Sequence, residues 1–143
     1  MPNKSKKTVK LPSRQSKKNI LLVEDDTFLS GMYITKLTLA KFDVTLATDG
    51  IQALAVAKQA KPSLILLDVM IPKLDGFGVL RELKKNRNLG NIPVILLTNL
   101  SDQVSIEKAK TYQVADYLVK VHYRPDEVIE KVRQVLKKTS RSN

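Results

Sequence analysis

The chain has 143 residues, 25 Lys and Arg against 14 Asp and Glu, a formal charge of +11, no Cys and a single His. That length fits one domain with a full core of its own, and the lack of Cys excludes disulfide frameworks, Fe–S clusters, thiolate zinc sites and cysteine nucleophiles. The longest apolar runs, such as Ile20 to Val23, fall far short of the roughly 18 residues that span a bilayer. The run after the basic start stops at Glu24, before a signal peptide could form, so a cytoplasmic location is expected.

The positive charge is unevenly placed. Residues 1–18 hold Lys4, Lys6, Lys7, Lys10, Arg14, Lys17 and Lys18 and no acid, and Lys137, Lys138 and Arg141 lie near the other end. Between them, 15 basic residues face all 14 acids, so the central segment is close to neutral. Residues 1–18, with Val9 and Leu11 as their only sizeable apolar groups, are expected to form a disordered basic arm. A domain is expected over 19–138, and 139–143 form a short polar tail.

From Asn19 onward, short apolar runs alternate with stretches of helical spacing. Strands are predicted over 19–24, 43–47, 63–68, 93–98 and 116–120. Nearly all are apolar throughout, as strands covered on both faces are. Phe28, Met32 and Leu39 mark the apolar side of the first predicted helix, and Leu54, Val56 and Ala57 that of the second. Val128, Ile129, Val132, Val135 and Leu136 mark the last, which Pro125 opens. Five strands alternating with five helices imply a doubly wound α/β domain with a parallel sheet and right-handed crossovers.

In such sheets ligands bind beyond the carboxyl ends of the strands. Strand one ends in Glu24, Asp25 and Asp26, strand three in Asp68, strand four in Thr98 and strand five in Lys120. Carboxylates gathered at one edge repel each other unless a cation compensates. Oxygen ligands with no Cys or His beside them select a hard ion, and a small carboxylate set suits Mg²⁺. A carboxylate beside Mg²⁺, a lysine and a threonine hydroxyl is equipment for in-line phosphoryl transfer to Asp68. Asp26, Asp49 with Gly50, and Asp75 with Gly76 read as helix starts, and His122 as an exposed loop imidazole.

These residues resemble the receiver domains of two-component response regulators. The acidic pair after strand one, the "DVMIPKLDGF" segment from Asp68 to Phe77, Asp49–Gly50, Thr98 and the "DYLVK" lysine occur in order at that family's spacing. The resemblance implies a flavodoxin-like sheet of order 2-1-3-4-5. It implies that Asp68 accepts a phosphoryl group from a sensor histidine kinase or phosphotransfer protein. Glu24, Asp25, Asp68 and the Met70 carbonyl would arrange Mg²⁺, with Glu24 acting through water. Thr98 and Tyr117 would switch together and signal to an unknown downstream protein on the face formed by helix four, strand five and helix five, with homodimerisation left open.

Three residues depart from the pattern: Val121 stands where a cis proline usually follows the lysine, Asn99 where a small residue usually follows the threonine, and Gln113 where a glycine commonly ends helix four. A trans bond and a repositioned loop are expected at Val121. Asn99 is expected to crowd or hydrogen-bond the phosphoryl group. Met70 and Leu100 are expected to shield Asp68 from water and slow dephosphorylation.

Two further functions compete with a single-domain response regulator that catalyses only its own phosphorylation and dephosphorylation. A Mg²⁺-dependent phosphatase with an aspartyl nucleophile resembles the site, but such enzymes carry a second aspartate where Met70 stands. A polyanion-binding adaptor would use the basic tails for nonspecific contact with nucleic acid or an anionic membrane.

Overall fold

Five short strands form one parallel sheet in the computed structural model, which describes residues 17–141. They are β1 (Asn19–Val23), β2 (Asp43–Ala47), β3 (Leu64–Leu67), β4 (Val94–Thr98) and β5 (Asp116–Val119), in the order β2-β1-β3-β4-β5. The helices between and after them are α1 (Thr27–Leu39), α2 (Gly50–Ala60), α3 (Gly76–Lys85), α4 (Gln103–Thr111) and α5 (Pro125–Arg141). The expected flavodoxin-like doubly wound fold is therefore the one observed. Residues 1–16 of the expected basic arm, and 142 and 143 of the tail, lie outside the described residues. The last helix continues through Thr139 to Arg141.

Strand pleating sorts the core into two layers. Leu21, Val23, Ile65, Leu67 and Leu96 face α2, α3 and α4, packing on Ala53, Ala57, Leu80, Leu83 and Ala109. Ile20, Leu22, Leu64, Leu66, Ile95 and Leu97 face α1 and α5, packing on Tyr33, Leu37, Val128 and Val132. All four residues of β3 are at most 1% exposed. Each contributes roughly 1.5–3 kcal/mol of burial. Edge strands β2 and β5 are only part-buried because each has a single neighbour.

Helix starts follow the sequence closely. Asp26, Asp49, Asp75 and Asp102 are N-caps, their side chains accepting backbone N–H groups from Leu29, Gln52, Gly78 and Ser105. One expectation about α1 fails: Phe28 and Leu39 are 79% and 73% exposed, and the residues facing the sheet are Ser30, Tyr33 and Leu37. The apolar stripe read from Phe28, Met32 and Leu39 is rotated away from the buried one. Placing the Asp26 cap at the carboxyl edge fixes the helix phase, which turns Phe28 and Leu39 outward and leaves Met32 packed at the margin of the core.

Gln113, beyond α4, has φ of 56°, a left-handed conformation that penalises any side chain with a Cβ. Its N–H donates to the Lys110 carbonyl, as a rebuilt helix end requires. Gln113→Gly is expected to raise stability by about 0.5–1 kcal/mol, after allowing for glycine's larger unfolded-state entropy. Thermal unfolding should then shift upward by roughly 2–4 °C. An unchanged or lowered midpoint would show that the loop is unstrained.

Candidate functional site

Parallel pairing places the ends of β1, β3, β4 and β5 side by side, and β5 hands its chain directly to a 3-10 turn (Lys120–His122). The residues expected from the sequence meet there. Glu24 and Asp68 are 2% and 6% exposed, Thr98 is fully buried, and Asp25 is exposed at the mouth. Carboxylate oxygens of Glu24, Asp25 and Asp68 all lie within 4.8 Å of one another. That donor set of three carboxylates, one open to solvent, fits a hard divalent cation.

Lys120 decides the electrostatics. Its Nζ donates to Glu24 Oε1 at 2.6 Å and to Asp68 Oδ2 at 2.7 Å. Burial alone would lower the lysine's pKa, but the two carboxylates outweigh it and hold the ammonium above its ordinary value. Burial pushes the Glu24 carboxyl up despite the hydrogen bonds from Lys120 and the Asp26 N–H. The ammonium stands at bonding distance from two buried carboxylates, whose charge would be costly to bury without a cation.

Neighbouring contacts orient the cluster. The Met70 N–H donates to Asp68 Oδ1 at 3.1 Å, while the Met70 side chain is 62% exposed. The Thr98 hydroxyl oxygen accepts from the Leu100 N–H at 3.3 Å, and the Tyr117 hydroxyl donates to the Leu100 carbonyl at 2.7 Å. Thr98 and Tyr117 thus grip the same residue of the β4–α4 loop. Burial raises the Tyr117 hydroxyl's pKa, so the phenol is a neutral donor.

Two departures from the expected pattern meet each other. No cis peptide bond occurs among the described residues, and the Val121 N–H, which a proline would lack, donates to Asn99 Oδ1 at 3.2 Å. Asn99 pins the turn that carries Lys120. His122 is exposed on that turn.

Sequence reasoning underrated Gly76. A Cβ there would lie 2.7 Å from both the Asp68 carbonyl oxygen and the Val69 Cα. Its N–H donates to the Val69 carbonyl at 2.8 Å. The start of α3 therefore presses directly on the backbone that carries Asp68. An Asp–Gly pair at a helix start gives no hint of this tertiary approach.

A doubly wound domain with an acid cluster and a lysine at its carboxyl edge is the architecture of a phosphorylation-controlled signalling module. Residues 20–133 match the response regulator receiver domain family, and the chain belongs to that family. It is 37% identical over 122 residues to the DNA-binding dual master transcriptional regulator RpaA of Synechocystis, covering 85% of this chain and 50% of that protein. It is also 37% identical over 124 residues to the probable transcriptional regulator ycf27 of Cyanophora paradoxa, covering 87% and 50%. The chain thus spans about half the length of these curated relatives. Among solved structures, the receiver domain of the Francisella response regulator 1452 superposes with a TM-score of 0.77 at 34% identity, covering 85% of this chain and 98% of that one. The BeF3-activated N-terminal receiver domain of Klebsiella pneumoniae RstA does so with a TM-score of 0.76 at 29%, covering 82% and 97%.

Lys120→Met leaves two buried carboxylates without their cation, and is expected to cost about 3–5 kcal/mol at neutral pH in metal-free buffer. The Glu24 carboxyl, already above its ordinary value, rises further in the variant. Its protonation then favours the folded state, so the lost stability returns as the pH falls through that raised value toward the unfolded one. Denaturant midpoints of both proteins from pH 7 to pH 4 would show the gap narrowing. A constant gap would mean that the ammonium is not what holds the acids.

Proposed function

We propose that the protein is a response regulator whose Asp68 accepts a phosphoryl group from a sensor histidine kinase or phosphotransfer protein, and that the modified domain signals by binding a partner. The single observation that carries this is the Lys120 ammonium bridging the buried Asp68 and Glu24 carboxylates, with Asp25 open at the mouth.

An Asp68 carboxylate oxygen attacks phosphorus in line, the P–N bond to the donor imidazole breaks, and the imidazole nitrogen keeps the bonding pair. Lys120 faces the incoming group and offsets its added negative charge. Thr98, buried beside it, offers a hydroxyl to one phosphoryl oxygen. Its oxygen still accepts from the Leu100 N–H while its proton is given to the phosphoryl group, so a shift of the hydroxyl toward Asp68 pulls on the loop that Tyr117 also holds. That shared grip supports Thr98 and Tyr117 as a coupled pair whose rearrangement reaches α4, β5 and α5. Glu24, Asp25, Asp68 and the Met70 carbonyl would hold Mg²⁺, which supplies neutralisation of charge on the transferring group.

A phosphodonor domain needs an apolar footing around a charged pit. Phe28, Met70 and Val121 are 79%, 62% and 75% exposed, and each stands within three residues of Asp25, Asp68 or Lys120. The phosphatase alternative lacks support, since Met70 brings no carboxyl group to act as acid and base. Among the described residues, no helix is long and apolar enough to cross a membrane.

Incubation with acetyl phosphate and Mg²⁺ is expected to add one phosphoryl group per chain by intact mass, and Asp68→Asn to add none. Equal labelling of both proteins would overturn the assignment. With Met70 and Leu100 flanking the site, the aspartyl phosphate is expected to persist for minutes or longer. Met70→Lys should shorten that lifetime severalfold; decay within seconds, unaltered by that substitution, would contradict the shielding role.

A further inference from the structure

The described cations divide cleanly by whether they have a partner. Lys36, Lys73, Arg81, Lys85, Lys110, Lys120, Arg124, Lys131 and Arg133 face carboxylates. Lys84 donates to the Gly90 carbonyl and Lys108 lies over the Phe77 ring. Lys138 is also engaged. Those left without a carboxylate, carbonyl or ring among the described residues are Lys17, Lys18, Lys41, Lys58, Lys61, Arg87 and Lys137.

All seven belong to one end of the molecule. Lys17 and Lys18 lead into β1, Lys41 follows α1, Lys58 and Lys61 end α2, and Arg87 follows α3. Every one of these places lies at the amino edge of the sheet, because each helix returns the chain there from the carboxyl edge. Lys137 joins them because α5 has 17 residues against four in β5. At about 1.5 Å per helical residue and 3.3 Å per strand residue, its last turns project past the sheet. The acids of the strand ends and helix caps, Glu24, Asp25, Asp26, Asp49, Asp68, Asp75 and Asp102, lie at the opposite, carboxyl edge. Of those nearer the amino edge, Asp116 pairs with Lys131, Glu82 with Lys85 and Glu130 with Arg133, which leaves Asp43 as the acid there without a basic partner among the described residues.

Lys41 and Lys61 occupy left-handed backbone, with φ of 75° and 44°, at helix ends where glycine is favoured. Lysine at both positions sets cations on the amino edge at a conformational cost. The acidic edge lies roughly 17 Å away along a five-residue strand, beyond the ~10 Å Debye length at 0.1 M salt, so it does not cancel this field.

We infer that the amino edge of the folded domain is a docking surface for the phosphate backbone of duplex nucleic acid, held back to back with the phosphoacceptor site. Among the edge residues named here there is no aromatic side chain and six of the seven cations are lysines, which suits point contacts with phosphates rather than reading of bases. Leu39 is the one large exposed apolar group near this edge, too little for insertion among lipids. Binding is therefore sequence-independent and driven by counterion release. Phosphorylation of Asp68 proceeds on the far edge and is not required for it.

The test uses the full chain and a fluorescein-labelled 20-base-pair duplex of arbitrary sequence, read by anisotropy from 30 to 200 mM NaCl. Wild type is expected to bind, with log K falling against log salt at a slope of about −3 or steeper. A Lys41→Gly, Lys61→Gly double variant relieves the left-handed backbone while removing two cations, so its thermal midpoint should not fall. Its slope should be shallower by about 2, and its affinity at 0.1 M salt at least tenfold weaker. Lys73→Gly makes the same backbone change (φ 72°) and charge change on the carboxyl edge, and should stay within twofold of wild type. Absence of binding at 30 mM salt would overturn the inference, as would an unaltered double variant, which would assign binding to residues 1–16 alone. Equal loss in Lys73→Gly would reduce the effect to net charge. Tighter binding to vesicles containing anionic lipid than to the duplex would make a membrane the occupant.

Discussion

One ammonium group reconciles the chemistry of the site with the stability of the fold. Glu24 and Asp68 end strands whose preceding residues are almost wholly buried, so both carboxylates are carried into the protein by the sheet that positions them. Two such charges side by side are tolerable only with a cation between them. Lys120 provides it from the turn after β5, a strand four places removed from β1 in chain order and three in the sheet. The same ammonium stands beside the oxygen that would take a phosphoryl group, so the contact that relieves the resting acids also awaits the incoming charge.

Keeping that ammonium in place is a matter of the loops. The turn after β5 carries Lys120 without a proline, and Asn99 at the end of β4 takes up the N–H that Val121 offers. Taken singly, each residue departs from the receiver pattern; together they make a hydrogen bond that a proline at the second position could not form. The same β4–α4 loop is held at Leu100 by Thr98 and by Tyr117. One short segment thus connects the buried Thr98 hydroxyl, the turn bearing Lys120 and a half-buried tyrosine on the next strand. Gly76 supplies the corresponding support from below, where α3 meets the Asp68 backbone.

Charge is organised by the winding of the chain. In a doubly wound domain every strand ends at one edge and every helix ends at the other, so residues favoured at strand ends and helix starts collect at one pole and those favoured at helix ends at the opposite one. Aspartates that cap helices and carboxylates that build the site therefore share an edge, while lysines at helix ends share the other. A nearly neutral central segment in the sequence thus sets its unpartnered cations and the acids of its site and caps at opposite ends in space. Summed charge cannot reveal this, because it discards position.

The sequence by itself determined the class of fold and the chemical groups of the site. Uninterrupted apolar runs at strand length, each ending in a polar residue, permit little besides a covered parallel sheet with its functional groups at the carboxyl edge. The caps at Asp26, Asp49 and Asp75 were equally legible, since a cap depends on a side chain and a backbone only three residues apart. Tertiary structure decided what depends on phase and on distant approach: that α1 turns Tyr33 inward and Phe28 outward, that Asn99 meets Val121, that Gly76 lies against Asp68, and that Lys120 reaches two acids at once. A rotation of one helix or a contact between residues 22 or 96 positions apart leaves no local periodicity to read; it exists only once the strands have fixed which loops are neighbours.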